Sequence, residues 1–259
     1  MADPIIRMVD IEKHFGSVIA LAGVTVEVFQ GECHCLLGDN GAGKSTFIKT
    51  MSGVHKPTRG EIYFEGKPLS FDDPRDAINA GIATVYQDLA MIPLMSVSRN
   101  FFMGNEPVKR RFGMPFYDQD QADEITMREM KRMGINLRGP DQAVGTLSGG
   151  ERQTVAIARA VHFGAKVLIL DEPTSALGVR QTSNVLATID KVRKEGIAVV
   201  FITHNVRHAL AVGDRFTVLN RGQTLGTAQR GEVSPEELQD MMAGGQELAT
   251  LEGSLGGTV

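Results

Sequence analysis

One stretch of nine residues constrains what this chain can fold into more than any other part of it. It fills every fixed position of the phosphate-binding pattern G-x-x-x-x-G-K-[ST], and it reads Gly38, Asp39, Asn40, Gly41, Ala42, Gly43, Lys44, Ser45 and Thr46. Glycines let backbone N–H groups approach an anion closely, and the start of a following helix favours negative charge. In this pattern the lysine reaches the β- and γ-phosphates of a nucleotide, and the next hydroxyl binds Mg²⁺.

The sequence on either side of this loop agrees with that interpretation. The apolar residues of 33–37 predict a buried strand before the loop. Phe47, Ile48 and Met51 share one face of a predicted helix that can end at Gly53. The alternative is a glycine-rich turn with a solvated lysine, and the flanking strand and helix argue against it. The sequence therefore predicts an α/β fold built around a nucleotide site.

Composition excludes several classes of protein. The chain has 259 residues, of which 42% are apolar, so it can bury the core of one large domain or two small ones. No apolar run approaches the roughly 18 residues of a membrane span, and the chain begins without the basic and apolar regions of a signal peptide. A net charge of −4 argues against a nucleic-acid partner. We therefore expect a folded chain that stays in the cytoplasm.

The two cysteines flank a histidine, which raises the question of a metal site. Zinc needs about four converging ligands, whereas strand alternation puts Cys33 and Cys35 on one face and His34 on the other. We predict no metal site there. A single pair this close on one strand cannot form a disulfide framework, which fits a reducing compartment.

The rest of the chain divides into strands and a long insertion. Short alternating or apolar runs predict strands, and these lie at 5–9, 20–29, 61–64, 66–69 and 82–86. The ranges 61–64 and 66–69 predict a small antiparallel pair, so a β-rich layer accompanies the nucleotide core. Residues 89–165 contain helical patterns such as 121–133 and are interrupted by prolines. We interpret them as a mainly helical insertion.

A second helix start is built from Ser148, Gly149, Gly150 and Glu151. Ser148 and Glu151 have the spacing of a capping box, which is the plain structural explanation. Glycines in the first helical turn cost about 1 kcal/mol each relative to alanine, so a cap alone does not explain them. They permit close approach of N–H groups to an anion. We therefore predict a second phosphate-facing helix start, one that lacks a lysine.

Two further predicted strands end in polar residues. The apolar run 167–170 predicts a parallel strand covered on both faces, and it ends at Asp171 and Glu172. Ligands bind at the carboxyl ends of such strands, so Asp171 suits an Mg²⁺ shell and Glu172 suits a general base that activates water. Residues 198–203 predict another strand before His204, whose protonated edge would stabilise charge on the γ-phosphate. The alternatives are two solvated turn acids and a loop histidine.

Together these motifs resemble the ATP-binding-cassette (ABC) ATPase family. They occur in the family's order, as the phosphate loop, Gln87, Leu-Ser-Gly-Gly-Glu at 147–151, Leu-Ile-Leu-Asp-Glu-Pro at 168–173, and His204. The resemblance covers roughly 5–242. It implies a P-loop NTPase fold with a RecA-like parallel-sheet core, an antiparallel β subdomain and an inserted helical subdomain. The implied core and β subdomain span 5–88 and 166–230, the helical subdomain spans 89–165, and 243–259 form a C-terminal tail.

The resemblance also implies how ATP is held. ATP and Mg²⁺ would lie in a head-to-tail homodimer, between Lys44 of one subunit and the signature residues 148–151 of the other. By itself the sequence favours Phe15 as a cover for the edge of the core, but the resemblance implies that Phe15 stacks on adenine. The implied Mg²⁺ ligands are Ser45, Gln87 and Asp171. The implied catalytic residues are Lys44, Gln87, Glu172 and His204.

Within the family the sequence is similar to that of importers of monosaccharides of the ribose, xylose and fructose type. The likeness rests on the phosphate loop and on the ranges 81–88 and 95–100. The chain is most similar to the single-cassette members and, within them, to the fructose importers. It implies two transmembrane permease subunits, a periplasmic sugar-binding protein that acts indirectly, and a place at the cytoplasmic face of the inner membrane. The rival interpretations are a non-transport assembly ATPase and a low-turnover nucleotide-gated module.

One departure from the family pattern is the residue at 178. The family commonly has Ser-Ala-Leu-Asp after the glutamate, whereas this chain has Ser175, Ala176, Leu177 and Gly178. The aspartate communicates with the opposite site of the dimer in the family. Its loss implies slower or less cooperative hydrolysis.

Overall fold

A computed structural model describes residues 3–243 of the chain. They form two compact units, the first made of 3–84, 165–172 and 189–243 and the second of 85–164 and 173–188. The second unit thus contains the range 173–188 in addition to most of the expected insertion, because residues of this range pack against the first turn of a helix in that unit. The predicted C-terminal tail lies outside the described residues from 244 onward.

The first unit contains two sheets. Its strands are β1 (Ile6–Phe15), β2 (Val18–Val28), β3 (Cys33–Leu37), β4 (Arg59–Phe64), β5 (Lys67–Pro68), β6 (Ile82–Val85, whose last residue belongs to the second unit), β9 (Val167–Asp171), β10 (Ala198–Ile202), β11 (Arg215–Asn220) and β12 (Gln223–Gln229). One sheet has the order β2-β1-β4-β5 and the other the order β12-β11-β3-β10-β9-β6. In the second sheet β10 pairs in parallel with β3 and β9, and β11 pairs in parallel with β3. The α/β class with a parallel core sheet is confirmed.

The central strands of the parallel sheet are covered on both faces. All five residues of β3 and of β10 are buried, as are the four residues of β9 that precede Asp171. This is the physical reason for their continuous apolar sequence, since no face is left for polar side chains. Cys33 and Cys35 are both free and buried. Among residues 3–243 no group of three or more His, Cys, Asp or Glu side chains is placed to hold a metal ion.

The antiparallel layer differs from the prediction at its first strand. The expected strand ended at Val9, but β1 continues through Phe15 because it pairs with β2 along its length, up to Phe15 opposite Val18. Phe15 is therefore the last residue of a strand. The predicted small antiparallel pair is confirmed as β4 and β5.

The helices of the first unit are α1 (Lys44–Met51), α2 (Pro74–Ala80), α7 (Val206–Val212) and α8 (Pro235–Met242). The second unit contains α3 (Val97–Phe102), α4 (Gln119–Arg132) and α5 (Gly149–His162), and α6 (Val179–Lys194) begins there and ends in the first unit. Helix α4 confirms the helix predicted at 121–133. In the described part of the chain no helix is long and apolar enough to cross a membrane.

The second unit also contains a hairpin that the sequence analysis missed. Strands β7 (Val108–Arg111) and β8 (Met114–Tyr117) pair antiparallel in a range that we expected to be mainly helical. Phe112 and Gly113 form the turn with φ of +52° and +79°. Two successive residues with positive φ match the twist of a hairpin. A phenylalanine in that position gives no local signal of such a turn.

Candidate functional site

The predicted phosphate loop connects the end of β3 to the start of α1. Its glycines are required by shape as well as by backbone conformation. Gly38 has φ +149°, and a Cβ there would lie 2.4 Å from the Leu219 carbonyl oxygen. Gly43 has φ +101°, and its Cβ would lie 2.9 Å from the Ala20 carbonyl oxygen. The loop is thus pressed against two neighbouring segments, and any side chain at these two positions would displace it.

Lys44 is held inside this loop. Its Nζ donates hydrogen bonds to the Gly38 oxygen at 2.6 Å and to the Asp39 oxygen at 3.0 Å. Burial lowers the pKa of Lys44, and the nearby carboxylates of Glu172, Asp39 and Asp171 act in the opposite direction. The charged amine is therefore kept partly desolvated, where its attraction for a phosphate is stronger than in water.

The carboxyl ends of three strands meet beside the loop. Asp171 is the last residue of β9 and is paired in register with Ile202, which is in turn paired with Leu36 at the end of β3. Helix α1 starts from the same edge of the sheet. The parallel register brings Asp171 to the phosphate loop although the two are more than a hundred positions apart in the sequence.

The surroundings of Asp171 disfavour its ionised form. Burial raises its pKa first, and the adjacent Glu172 raises it further, while Lys44 and Lys49 lower it. When the pKa of a carboxyl group is raised, a cation bound next to it stabilises the ionised form strongly. Asp171 together with the Ser45 hydroxyl offers the hard oxygen donors that Mg²⁺ prefers.

We expect Asp171→Asn to raise the melting temperature of the nucleotide-free protein at neutral pH. The unfolded carboxyl has a pKa near 3.8 and the folded one is higher, so the folded state holds an extra proton between those values. Stability therefore falls as pH rises through that window, and the cost persists above it. The stabilisation by asparagine should disappear below pH 3.8, which melting curves across pH would test.

The matched control is Asp190→Asn. Hydrogen bonds from Lys194 and Arg193 lower the pKa of Asp190, so its ionised form stabilises the fold above the unfolded pKa and that contribution is lost as pH falls. Asparagine there should lower the melting temperature at neutral pH. Equal shifts of the same sign in both variants would contradict the electrostatic explanation.

Glu172 and His204 contact each other directly. The Nδ1–H of His204 donates to Oε1 of Glu172 at 2.9 Å, and the Glu172 backbone N–H donates to the Ile202 oxygen at 3.1 Å. Glu172 has φ +49°, a conformation that costs a non-glycine residue energy and is often found at functional sites. The sequence placed both residues near the γ-phosphate but did not predict that they hydrogen bond to each other.

A cavity of about 430 Å³ opens beside the phosphate loop. Its lining contains residues 39–46 and four residues that the sequence analysis missed, namely Val18, Ile19, Ala20 and Arg221. Val18 and Ile19 are 62% and 59% exposed. Neither the exposure of these two side chains nor their place beside the phosphate loop could be read from the sequence. Arg221 had no local signal.

Phe15 does not line this cavity. Its ring is 45% exposed and makes an edge contact with the His55 ring, 5.2 Å between centroids, and Lys13 Nζ lies 5.2 Å from its centroid. An exposed aromatic is available for stacking on a base. The implied stacking on adenine stays a prediction.

The second unit holds the other predicted helix start. Ser148 Oγ accepts from the Glu151 N–H at 3.3 Å, and Glu151 Oε2 accepts from the Ser148 N–H at 2.7 Å. The capping box is therefore real. The glycines have a packing reason that the sequence analysis did not consider: a Cβ on Gly149 would lie 2.7 Å from Leu177 Cδ2, and one on Gly150 would lie 3.1 Å from Gln181 Cβ.

Gln87 and Gly178 also belong to the second unit. Gln87 is exposed and follows β6, and Gly178 is exposed just before α6. A Cβ on Gly178 would meet nothing within 4 Å. The site residues of the first unit that the structure brings together are thus the phosphate loop, Asp171, Glu172 and His204.

Comparison with known proteins identifies relatives across nearly the whole chain. A family model described as ABC transporter matches residues 21–175. The xylose/arabinose import ATP-binding protein of Sulfolobus acidocaldarius is 42% identical over 90% of this chain and 91% of its own length. The fructose import ATP-binding protein of Rhizobium meliloti is 40% identical over 95% of this chain and 96% of its own. The ribose import ATP-binding protein of Yersinia pestis is 39% identical over 93% of this chain, which spans 46% of that relative.

Solved structures with the same fold are cassettes as well. The ADP conformation of the ATP-binding cassette MJ1267 aligns with a TM-score of 0.80, at 24% identity and over 96% of this chain and 98% of that one. A dimeric post-hydrolysis state of the cassette MJ0796 bound to ADP and Pi aligns with a TM-score of 0.72, at 26% identity and over 86% of this chain and 98% of that one.

Proposed function

This chain belongs to the ABC transporter family, and from that premise we propose that it is the ATP-hydrolysing subunit of an importer that takes up a monosaccharide. The observation that carries the proposal is 40% to 42% identity, over nine-tenths or more of both chains, with import ATP-binding proteins for sugars. ATP with Mg²⁺ is the substrate. The sugar is selected by other subunits. Fructose is the finer proposal, from the fructose import relative, which is matched over 96% of its own length.

We propose the following roles in the first unit. The backbone N–H groups of residues 38–46 and Lys44 bind the phosphates, and Ser45 and Asp171 hold Mg²⁺, which when bound neutralises charge on the β- and γ-phosphates. Glu172 accepts the proton of the attacking water. His204 donates to Glu172 at 2.9 Å and so orients that carboxylate. Phosphoryl transfer needs little covalent help, so positioning and charge supply most of the catalysis.

We also propose that two copies of the chain enclose the nucleotides. The support is a dimeric cassette among the structural relatives and a capped helix start at Ser148 that has no lysine of its own. Ser148, Gly149, Gly150 and Glu151 would face the ATP bound to Lys44 of the other copy. The role of Gln87 stays a prediction.

The proposed partners are two transmembrane permease subunits and, indirectly, a periplasmic sugar-binding protein, with the chain at the cytoplasmic face of the inner membrane. The test is ATP hydrolysis by the chain alone and after co-expression with the proposed permease subunits, with the binding protein added. Stimulation that depends on the permease and on one sugar is expected. A rate indifferent to both would favour a non-transport ATPase of the same family.

The glycine at 178 gives a prediction of its own. We expect Gly178→Asp to raise the hydrolysis rate or the Hill slope, because it restores the carboxylate that family members commonly have. The expected gain in coupling between the two ATP sites is about fivefold. The substitution is sterically free, since a Cβ there meets nothing within 4 Å. Steady-state phosphate release against ATP concentration measures both quantities.

Ser183→Asp is the matched control for this variant. Ser183 is exposed on α6, the helix that begins directly after Gly178, and an added charge there should change neither rate nor slope. An unchanged rate and Hill slope in Gly178→Asp would refute the idea that the missing carboxylate limits coupling.

A further inference from the structure

The turn between β11 and β12 puts an arginine in an unfavourable backbone conformation. Asn220 and Gln223 are paired, so Arg221 and Gly222 are the two turn residues, and their φ values are +47° and +78°. Two-residue turns with positive φ at both positions favour Asn-Gly, because non-glycine residues with long side chains are disfavoured there. The position would accept asparagine more readily than arginine.

This turn is fixed against the phosphate loop. The Gly222 N–H donates to the Ala42 oxygen at 2.9 Å, and the Gly222 oxygen accepts from the Ala22 N–H at 2.8 Å. A Cβ on Gly222 would lie 2.6 Å from the Ala20 oxygen. The backbone of the turn is therefore held between the loop and β2, and it cannot move away without breaking these contacts.

The side chain of Arg221 is exposed and lines the same cavity as the phosphate loop. That cavity has two kinds of wall. Val18 and Ile19 supply exposed apolar surface, whereas residues 41–46 supply the N–H groups and hydroxyls that suit phosphates. Of the ionisable residues in the lining, Lys44 and Arg221 are cationic and Asp39 is anionic. A nucleotide triphosphate carries more negative charge than Lys44 neutralises, so a second cation complements it.

We propose that Arg221 is a nucleotide-binding residue whose guanidinium binds the polyphosphate of the ATP held by residues 38–46. The inference rests on the proposed ATP site and adds a residue to it. Its position is set by the hydrogen bond from Gly222 to Ala42, which ties the neighbouring residue to the phosphate loop. The turn therefore places the Arg221 guanidinium beside the phosphate loop, although the turn would be more stable with asparagine at this position.

The test compares the wild type with Arg221→Asn and Arg221→Lys. Dissociation constants for ATP, ADP and adenosine are measured by competition against a fluorescent ATP analogue in the presence of Mg²⁺. We expect Arg221→Asn to weaken ATP binding by up to about fivefold, the upper end of what an exposed charge pair contributes, and to leave adenosine binding unchanged. Arg221→Lys should retain most of the affinity, because the positive charge remains. Added salt should weaken ATP binding more in the wild type than in Arg221→Asn.

A stability measurement separates binding from folding. Arg221→Asn should raise the melting temperature, because asparagine tolerates this backbone better than arginine. Phe112→Asn is the matched control, since Phe112 occupies the same place in the β7–β8 turn at φ +52° and is 89% exposed in the second unit. It should also raise the melting temperature, and it should leave the dissociation constant for ATP unchanged.

Unchanged ATP affinity in Arg221→Asn would overturn the inference. An equal loss for adenosine and ATP would overturn it too, because it would place the guanidinium on the base. Loss of ATP affinity together with a lower melting temperature would mean that the turn was damaged, and would also count against it. A wild-type chain that binds no ATP would contradict the proposed function itself, which is a separate result.

Discussion

Replacing Glu172 with glutamine is expected to reduce ATP hydrolysis by about 1000-fold, within the range attributed to general acid–base catalysis. Glutamine has the same shape and can still accept the hydrogen bond that His204 Nδ1 donates at 2.9 Å. It cannot accept the proton of the attacking water. The variant therefore removes the proposed chemistry while it keeps the local geometry.

ATP binding should survive in this variant. Removing a negative charge beside the phosphates relieves repulsion, so the dissociation constant for ATP should stay the same or fall. Phosphate release measures the loss of turnover, and equilibrium binding of ATP shows that the site is intact. Glu195→Gln, an exposed carboxylate just after α6, is the control and should hydrolyse ATP at the wild-type rate. Undiminished hydrolysis by Glu172→Gln would refute the assignment of Glu172 as general base.

Replacing Lys44 with alanine is expected to reduce hydrolysis by at least about 100-fold, the usual cost of removing one preorganised donor to developing charge. The reason differs from that for Glu172. Lys44 Nζ holds the Gly38 and Asp39 oxygens at 2.6 Å and 3.0 Å, and its charge offsets the carboxylates of Asp171 and Glu172. Alanine removes the amine that binds the phosphates and leaves the charges of those two acids uncompensated. ATP binding should therefore be lost as well as turnover.

ATP binding and ATP hydrolysis, both measured, distinguish Lys44→Ala from Glu172→Gln: the first should lose both, and the second should lose only hydrolysis. Lys67→Ala is the control for Lys44→Ala, because Lys67 is exposed on β5 and lies outside the cavity lining. Lys44→Met, which keeps the aliphatic part of the side chain, should lose ATP binding too. Retained ATP affinity in both Lys44 variants would contradict the proposed phosphate contact.

Much of the site could be predicted because its signals are local. The phosphate loop is one continuous run between a strand and a helix, and a loop of this kind functions through its own backbone. The capping box at Ser148 and Glu151 spans four positions and was visible for the same reason. The apolar run before Asp171 indicated a strand buried on both faces, and parallel strands end at a common edge.

Other parts escaped prediction because their cause lies elsewhere in the chain. The length of β1 is set by pairing with β2, which extends the strand beyond Val9, where we expected it to end. The β7–β8 hairpin turns at a phenylalanine, a residue that does not mark such turns. Gly149 and Gly150 carry a packing constraint from Leu177 and Gln181, a segment that the family resemblance assigned to the core.

The sequence by itself thus determined the chemistry of this protein: a phosphate loop, two acids and a histidine at strand ends, in the order of one family. Only the tertiary structure decided how these residues act on one another. The hydrogen bond from His204 to Glu172, the fit of Gly38 against Leu219 and the hydrogen bond from Gly222 to Ala42 join positions that are 32, 181 and 180 residues apart. Such contacts exist only after the strands have paired, so no local pattern records them.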